Sequence, residues 1–188
     1  MALEPFATPQ QMAARSQGAI PADDPYVVEA INAASRLIRN YCRWHVAPVI
    51  QETIKVAVRP RSPLYLPTLH MVDLLALTAS GVAADVARVE WDEAGIIEYS
   101  RSAFGTYALR RAVEVTFTHG YEDVPEDIVD LTLMIASRAL GSPLGVVRES
   151  TMSSSVTYSQ AGFNVAGGSA LLEHEKESLE IYRRPANA

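Results

Sequence analysis

The residues best able to do chemistry in this chain are one cysteine and four histidines, and their spacing limits that chemistry. Cys42 and His45 stand three apart, a spacing that offers a metal two ligands. A structural zinc site takes four, commonly as two such pairs, and His70, His119 and His174 are isolated in the sequence. Cys42 therefore reads as a small apolar residue at the end of a helix, with no partner for an internal disulfide. Nucleophilic catalysis needs a serine or cysteine poised by a base. The chain has no Gly-x-Ser-x-Gly turn, and Ser153-Ser154-Ser155 reads as loop. Gly167-Gly168-Ser169 before a helix resembles the backbone of an anion cradle, but it lacks the lysine of a phosphate loop, and Glu173 and Glu175 oppose an anion there. The carboxylate pairs Asp23-Asp24, Glu122-Asp123 and Glu126-Asp127 fall at turns and helix starts. The sequence thus predicts no catalytic residue, no cofactor and no metal.

A chain with so little chemistry acts through its surfaces, so what matters is the elements that present them. With 188 residues, 48% of them hydrophobic, it is long enough for a real core, and its length favours one domain. Charges or prolines break every apolar run well short of the ~20 residues of a membrane helix. Met1-Ala-Leu-Glu-Pro5 has neither the basic start nor the apolar stretch of a signal peptide, so the expectation is a soluble protein made in a cytoplasm. A net charge of −6 opposes gripping nucleic acid.

Residues 1–22 read as a loose arm with one short helix around Gln10 to Ser16. Asp24-Pro25 then caps and opens a helix with Val27, Ile31, Ala34, Ile38 and Tyr41 on one face. Its opposite face carries Arg36, Arg39 and Arg43, a basic stripe that is either solvated or turned toward an acidic neighbouring subunit. From Thr53 the period changes to two, and short strands follow near 53–58, 64–66, 72–78, 86–91, 96–99 and 111–118. Pro125 opens a helix to Leu140 that is apolar nearly all round, closed by Gly141 and Pro143. Arg148 to Gly168 reads as a long, partly extended loop. A last helix, from Ser169 to Arg184, has acids early and basic residues late, over a thin apolar face.

One stretch, Val115 to Asp130, writes a strand, a His-Gly turn and a Val-Pro helix start without a break. With the early helix that ends near Cys42 and Trp44, and the acidic last helix that ends in Arg183-Arg184, this order resembles the head-to-tail connector (adaptor) proteins of long-tailed bacteriophages. The resemblance implies an α+β fold: a helical bundle with an inserted small antiparallel β-unit, an extended loop and a C-terminal helix. On this chain that gives a flexible arm at 1–22, a helical core at 23–145 with the β-insertion near 52–118, and a portal-binding segment at 146–188. The implied function is a structural virion protein, a ring of about twelve copies beneath the portal through which DNA passes without sequence-specific binding. Its partners would be the portal protein, a stopper or tail-completion protein, and itself. Portal contacts would come from Val156, Tyr158, Leu171, Leu172, Leu179, Ile181, Tyr182 and Arg183, and subunit contacts from Arg36, Arg39 and Arg43. Two other readings stay open on the residues: a neighbouring stopper or tail-completion protein, and a small hydrolase or ligand-binding domain.

Overall fold

The chain begins with a helix that its own side chains close. In the computed structural model, α1 (Pro9–Arg15) opens on proline, and Thr8 and Gln11 cap it reciprocally. The Gln11 amide donates to Thr8 Oγ1 at 3.2 Å, and the Thr8 amide donates to Gln11 Oε1 at 2.7 Å. The structure describes residues 3–57, 63–79, 81–98, 113–141 and 170–185, together with the backbone of short strands between 148 and 166.

Contacts divide the chain into two compact units, residues 1–42 with 124–183 and residues 43–123 with 184–188. The first is helical. In α2 (Pro25–Cys42), the Asp24 carboxylate accepts from the Tyr26 amide at 2.9 Å, and Val27, Ile31, Ala34, Ser35, Ile38 and Cys42 face inward. In α3 (Glu126–Gly141), two acids in the first turn meet the positive end of the helix dipole, and Ile128, Leu131, Thr132, Leu133, Ile135 and Ala136 are buried. These two faces pack together, so cutting Ile135 back to alanine should cost roughly 2–5 kcal/mol. Against the expectation of a loose arm, Phe6 and Met12 are buried, and the Phe6 amide donates to Ser35 Oγ at 2.9 Å. A seven-residue stretch with only one apolar side chain facing inward gave no periodic signal of that docking.

The expected long terminal helix is short. Helix α4 spans Glu173–Leu179 and tightens into a 3-10 turn at Glu180–Tyr182, while Ser169, expected to cap it, lies outside the described residues. The stretch read as loop instead contains two small hairpins, Arg148–Thr151 with Ser154–Thr157 and Gln160–Gly162 with Val165–Ala166. Their serines and glycines mask the alternation on which a strand reading depends.

The second unit is built from strands β1 (Ile50–Val56), β2 (Leu64–Tyr65), β3 (Met71–Ala79), β4 (Val82–Ala83), β5 (Glu90–Trp91), β6 (Ile96–Glu98) and β7 (Val113–His119). A four-stranded antiparallel sheet runs β1-β7-β3-β4, and a small one runs β2-β6-β5. Strand β7 is central, and its alternation sends Val113, Val115, Phe117 and His119 into the core against Leu74, Leu77 and Ile97. Register shifts in β3 between Met71 and Asp73 and between Leu74 and Ala76 turn Val72 and Leu75 outward. The strand expected over 86–91 is mostly a 3-10 turn, Val86–Arg88, because the Asp85 carboxylate captures the Ala87 amide at 3.2 Å.

Candidate interaction surfaces

The C-terminal turn is held by a buried ion pair. Glu175 is fully buried, and its carboxylate takes two hydrogen bonds from Arg138 on α3, at 2.6 and 3.1 Å. The same carboxylate accepts from the Leu172 amide at 2.7 Å, and the Arg138 guanidinium also donates to the Ala170 carbonyl at 2.8 Å. One ion pair thus fixes both α4 and the chain leading into it. Leu179 closes the contact with 1% exposure. Beyond it, the Tyr182 hydroxyl donates to Asp127, the Tyr41 hydroxyl donates to Glu180, and Arg183 lies over the Tyr41 ring at 4.9 Å.

This geometry corrects one reading. Leu179 belongs to the protein's own core and is absent from the surface, so α4 does not lack an internal docking place. Leu171, Leu172, Tyr182 and Arg183 are half-buried, while Ile181 is 74% exposed. Val156 lies in a described strand, paired with Glu149, and Tyr158 lies outside the described residues. Sequence reasoning missed the ion pair, although Arg138 in an apolar helix and Glu175 between leucines were its signal.

The basic stripe is also divided. Arg39 is engaged internally: it donates to the Glu4 carbonyl at 2.6 Å, covers the Phe6 ring at 4.0 Å, and burial lowers its pKa to about 10. Arg36 and Arg43 are exposed and have no ion pair among the described residues. Beside Arg36 runs a groove of about 420 Å³ over Ala33, Leu37, Ile135 and Ala139, edged by Glu29 and Asn40. Through Glu29, Ala30, Ala33 and Ala139 it meets a second hollow of about 740 Å³ near Tyr26 and Leu140.

The candidates for chemistry resolve into packing. Cys42 is buried, and burial, reinforced by Glu180, pushes its thiol up to about 12. Among the described residues no cluster of three or more His, Cys, Asp or Glu could hold a metal ion. His119 is 1% exposed, and burial, with His45 beside it, lowers its pKa to about 3. Its ring meets His45 at 4.3 Å and Phe117 at 4.4 Å, and neither ring nitrogen has a hydrogen bond. Glu52 approaches Nε2 only to 3.4 Å with its carboxylate partly in solvent, so burial outweighs that attraction and the ring stays neutral. His45 Nε2 lies 2.8 Å from the Pro48 carbonyl, and His70 stacks on Tyr121 and pairs with Glu93. Gly120 sits beneath this group at φ +110°, where a Cβ would strike the His45 ring and the Pro48 carbonyl.

No described helix is long and apolar enough to cross a membrane. No curated protein matches the sequence. Among solved structures, a chain from the neck of an empty GTA particle, computed with C6 symmetry, shares the fold: TM-score 0.54, 16% identity, 100% of this chain and 93% of that one covered. The model of the head completion protein family matches residues 13–137, which take in the end of α1, all of α2, the whole β-unit and most of α3. The chain belongs to the head completion protein family, and it is a structural component of the head–tail connector of a virion.

Proposed function

We propose that this protein is the adaptor of the connector: copies form a ring beneath the portal that joins the DNA-filled head to the tail and leaves a channel for DNA. A ring needs two different faces of one subunit to meet, and about twelve copies would close it. In this reading the portal contact is the C-terminal segment, and the stopper or tail-completion protein follows on the tail side. Assembly takes place in the host cytoplasm. The observation that carries the reading is Ile181, 74% exposed on a turn that Arg138, Glu175 and Leu179 hold rigid. A large apolar side chain kept in water on a preorganised turn suits insertion into a partner's pocket, where ordering costs little entropy. Leu171, Leu172, Tyr182 and Arg183 flank it along the chain, and Val156 and Tyr158 precede it as candidates for the same contact; Leu179 supports them from within.

The test is Ile181→Asp in the gene that supplies the particle. Expected are filled heads without tails and a variant protein that melts like wild type but fails to pull down portal. Normal tailed particles from Ile181→Asp would remove the C-terminal turn from the portal contact.

A further inference from the structure

The geometry points to a specific head-to-tail contact: the groove between α2 and α3 receives the segment Glu122–Glu126 of a second copy, with Arg36 meeting its acids. The inference deepens the ring reading and rests on it. Three observations carry it. In the helical unit, Arg15, Arg39, Arg138, Lys176 and Arg183 are each engaged within the chain. Arg36, exposed on the groove's rim, has no ion pair among the described residues.

The complement is written in the same chain. Glu122, Asp123 and Glu126 are exposed without an ion pair among the described residues, and they bracket the half-buried Val124-Pro125. An apolar pair between acids matches an apolar floor of Ala33, Leu37 and Ala139 beside a cation. Glu29 sets the direction: it lies two helical turns before Arg36, about 10 Å away, so the acids must seat toward the Arg36 end. Because groove and segment are different surfaces, each copy gives one and receives one, as the heterologous contact of a ring requires.

The experiment uses the full-length protein in assembling particles, with necks examined by negative-stain electron microscopy and each variant's fold checked by circular dichroism. Arg36→Glu should lower ring yield by roughly tenfold or more, since it sets like charges face to face. Arg36→Lys should retain rings. Reversing the acids in the Arg36→Glu background, as Glu122→Arg, Asp123→Arg and Glu126→Arg together, should restore them, and Glu29→Lys should not weaken assembly. Intact rings from Arg36→Glu would overturn the groove contact while leaving the ring reading in place. Lost rings without rescue by the acid reversal would overturn the assignment of Glu122–Glu126 as the occupant. Wild-type necks that contain this chain in no ring would overturn the adaptor reading and this contact with it.

Discussion

Removing either half of the Arg138–Glu175 pair should undo the docking of the C-terminal turn, and removing both should largely restore it. Glu175 has 0% side-chain exposure and Arg138 12%, so Arg138→Met leaves a carboxylate buried against apolar neighbours with only the Leu172 amide to satisfy it. Stranding a buried charge in this way costs roughly 3–5 kcal/mol, whereas replacing the pair by apolar residues of similar volume is often neutral or better. For a unit of roughly a hundred residues, each kcal/mol shifts the midpoint by about 4–8 °C, so Arg138→Met should lower the melting temperature of the helical unit by some 12 °C or more. Arg138→Met with Glu175→Leu should recover most of that loss. Far-UV circular dichroism at the helical band follows this unit, while Trp44 and Trp91, both in the strand-rich unit, report the other one by fluorescence and serve as an internal control. A single variant that costs under about 1 kcal/mol, or a double variant as damaged as the two singles added together, would show that the pair does not hold α4 in place.

Deletion from Ser169 onward removes Glu175 and Leu179 from the core and strands Arg138, so the truncated protein should melt well below full length in a thermal scan; an unchanged midpoint would mean that α4 docks without contributing stability. His119 should make the strand-rich unit lose stability in acid: with a native pKa of about 3 against about 6.5 unfolded, the unfolded chain binds more protons in that window, so stability is full above pH 6.5 and falls by about 1.4 kcal/mol per pH unit toward 3. Urea midpoints by tryptophan fluorescence at pH 7 and pH 5 should therefore differ less in His119→Leu than in wild type, and equal differences would refute the assignment. Gly120→Ala should cost about 2 kcal/mol or more in the same assay, because φ +110° and the collision with His45 and Pro48 leave no room for a methyl group.

The elements with strict periodicity were legible. Val113, Val115 and Phe117 alternate with polar residues, and β7 is the central strand; Val27, Ile31, Ala34 and Ile38 recur at helical spacing, and α2 buries that face. What the sequence hid was decided by contacts distant along the chain. Arg138 and Glu175 are 37 residues apart, and neither residue type suggests burial until the partner is known. Arg39 and Arg36 look alike in the sequence, yet Glu4, 35 residues earlier, and the nearby Phe6 engage one and leave the other in solvent. The strand expected over 86–91 failed for a local reason, since Asp85 offers the backbone a turn that competes with the ladder.

In the proposed adaptor role, the same distinction between engaged and free cations bears on the passage of DNA. Affinity for a phosphate backbone scales with the cations available to displace its counterions. Here most of the described arginines and lysines are engaged within the chain: Lys55 pairs with Glu114, Arg88 with Asp85, Arg15 with Asp130, Arg138 with Glu175, Lys176 with Glu173 and Arg183 with Glu180. Apart from the buried Arg138–Glu175 pair, these exposed pairs add little stability, with a median of about 0–1 kcal/mol. Their physical consequence lies in the surface potential: each neutralised cation is one fewer phosphate contact, on a chain whose net charge is already −6. Among the described residues Arg36 and Arg43 have no such pair, so they are where selection for an outside carboxylate would leave its mark. If the acids of a neighbouring copy occupy Arg36, the assembled surface is left with fewer free cations than the separate chain, and DNA moving past it meets a weaker hold.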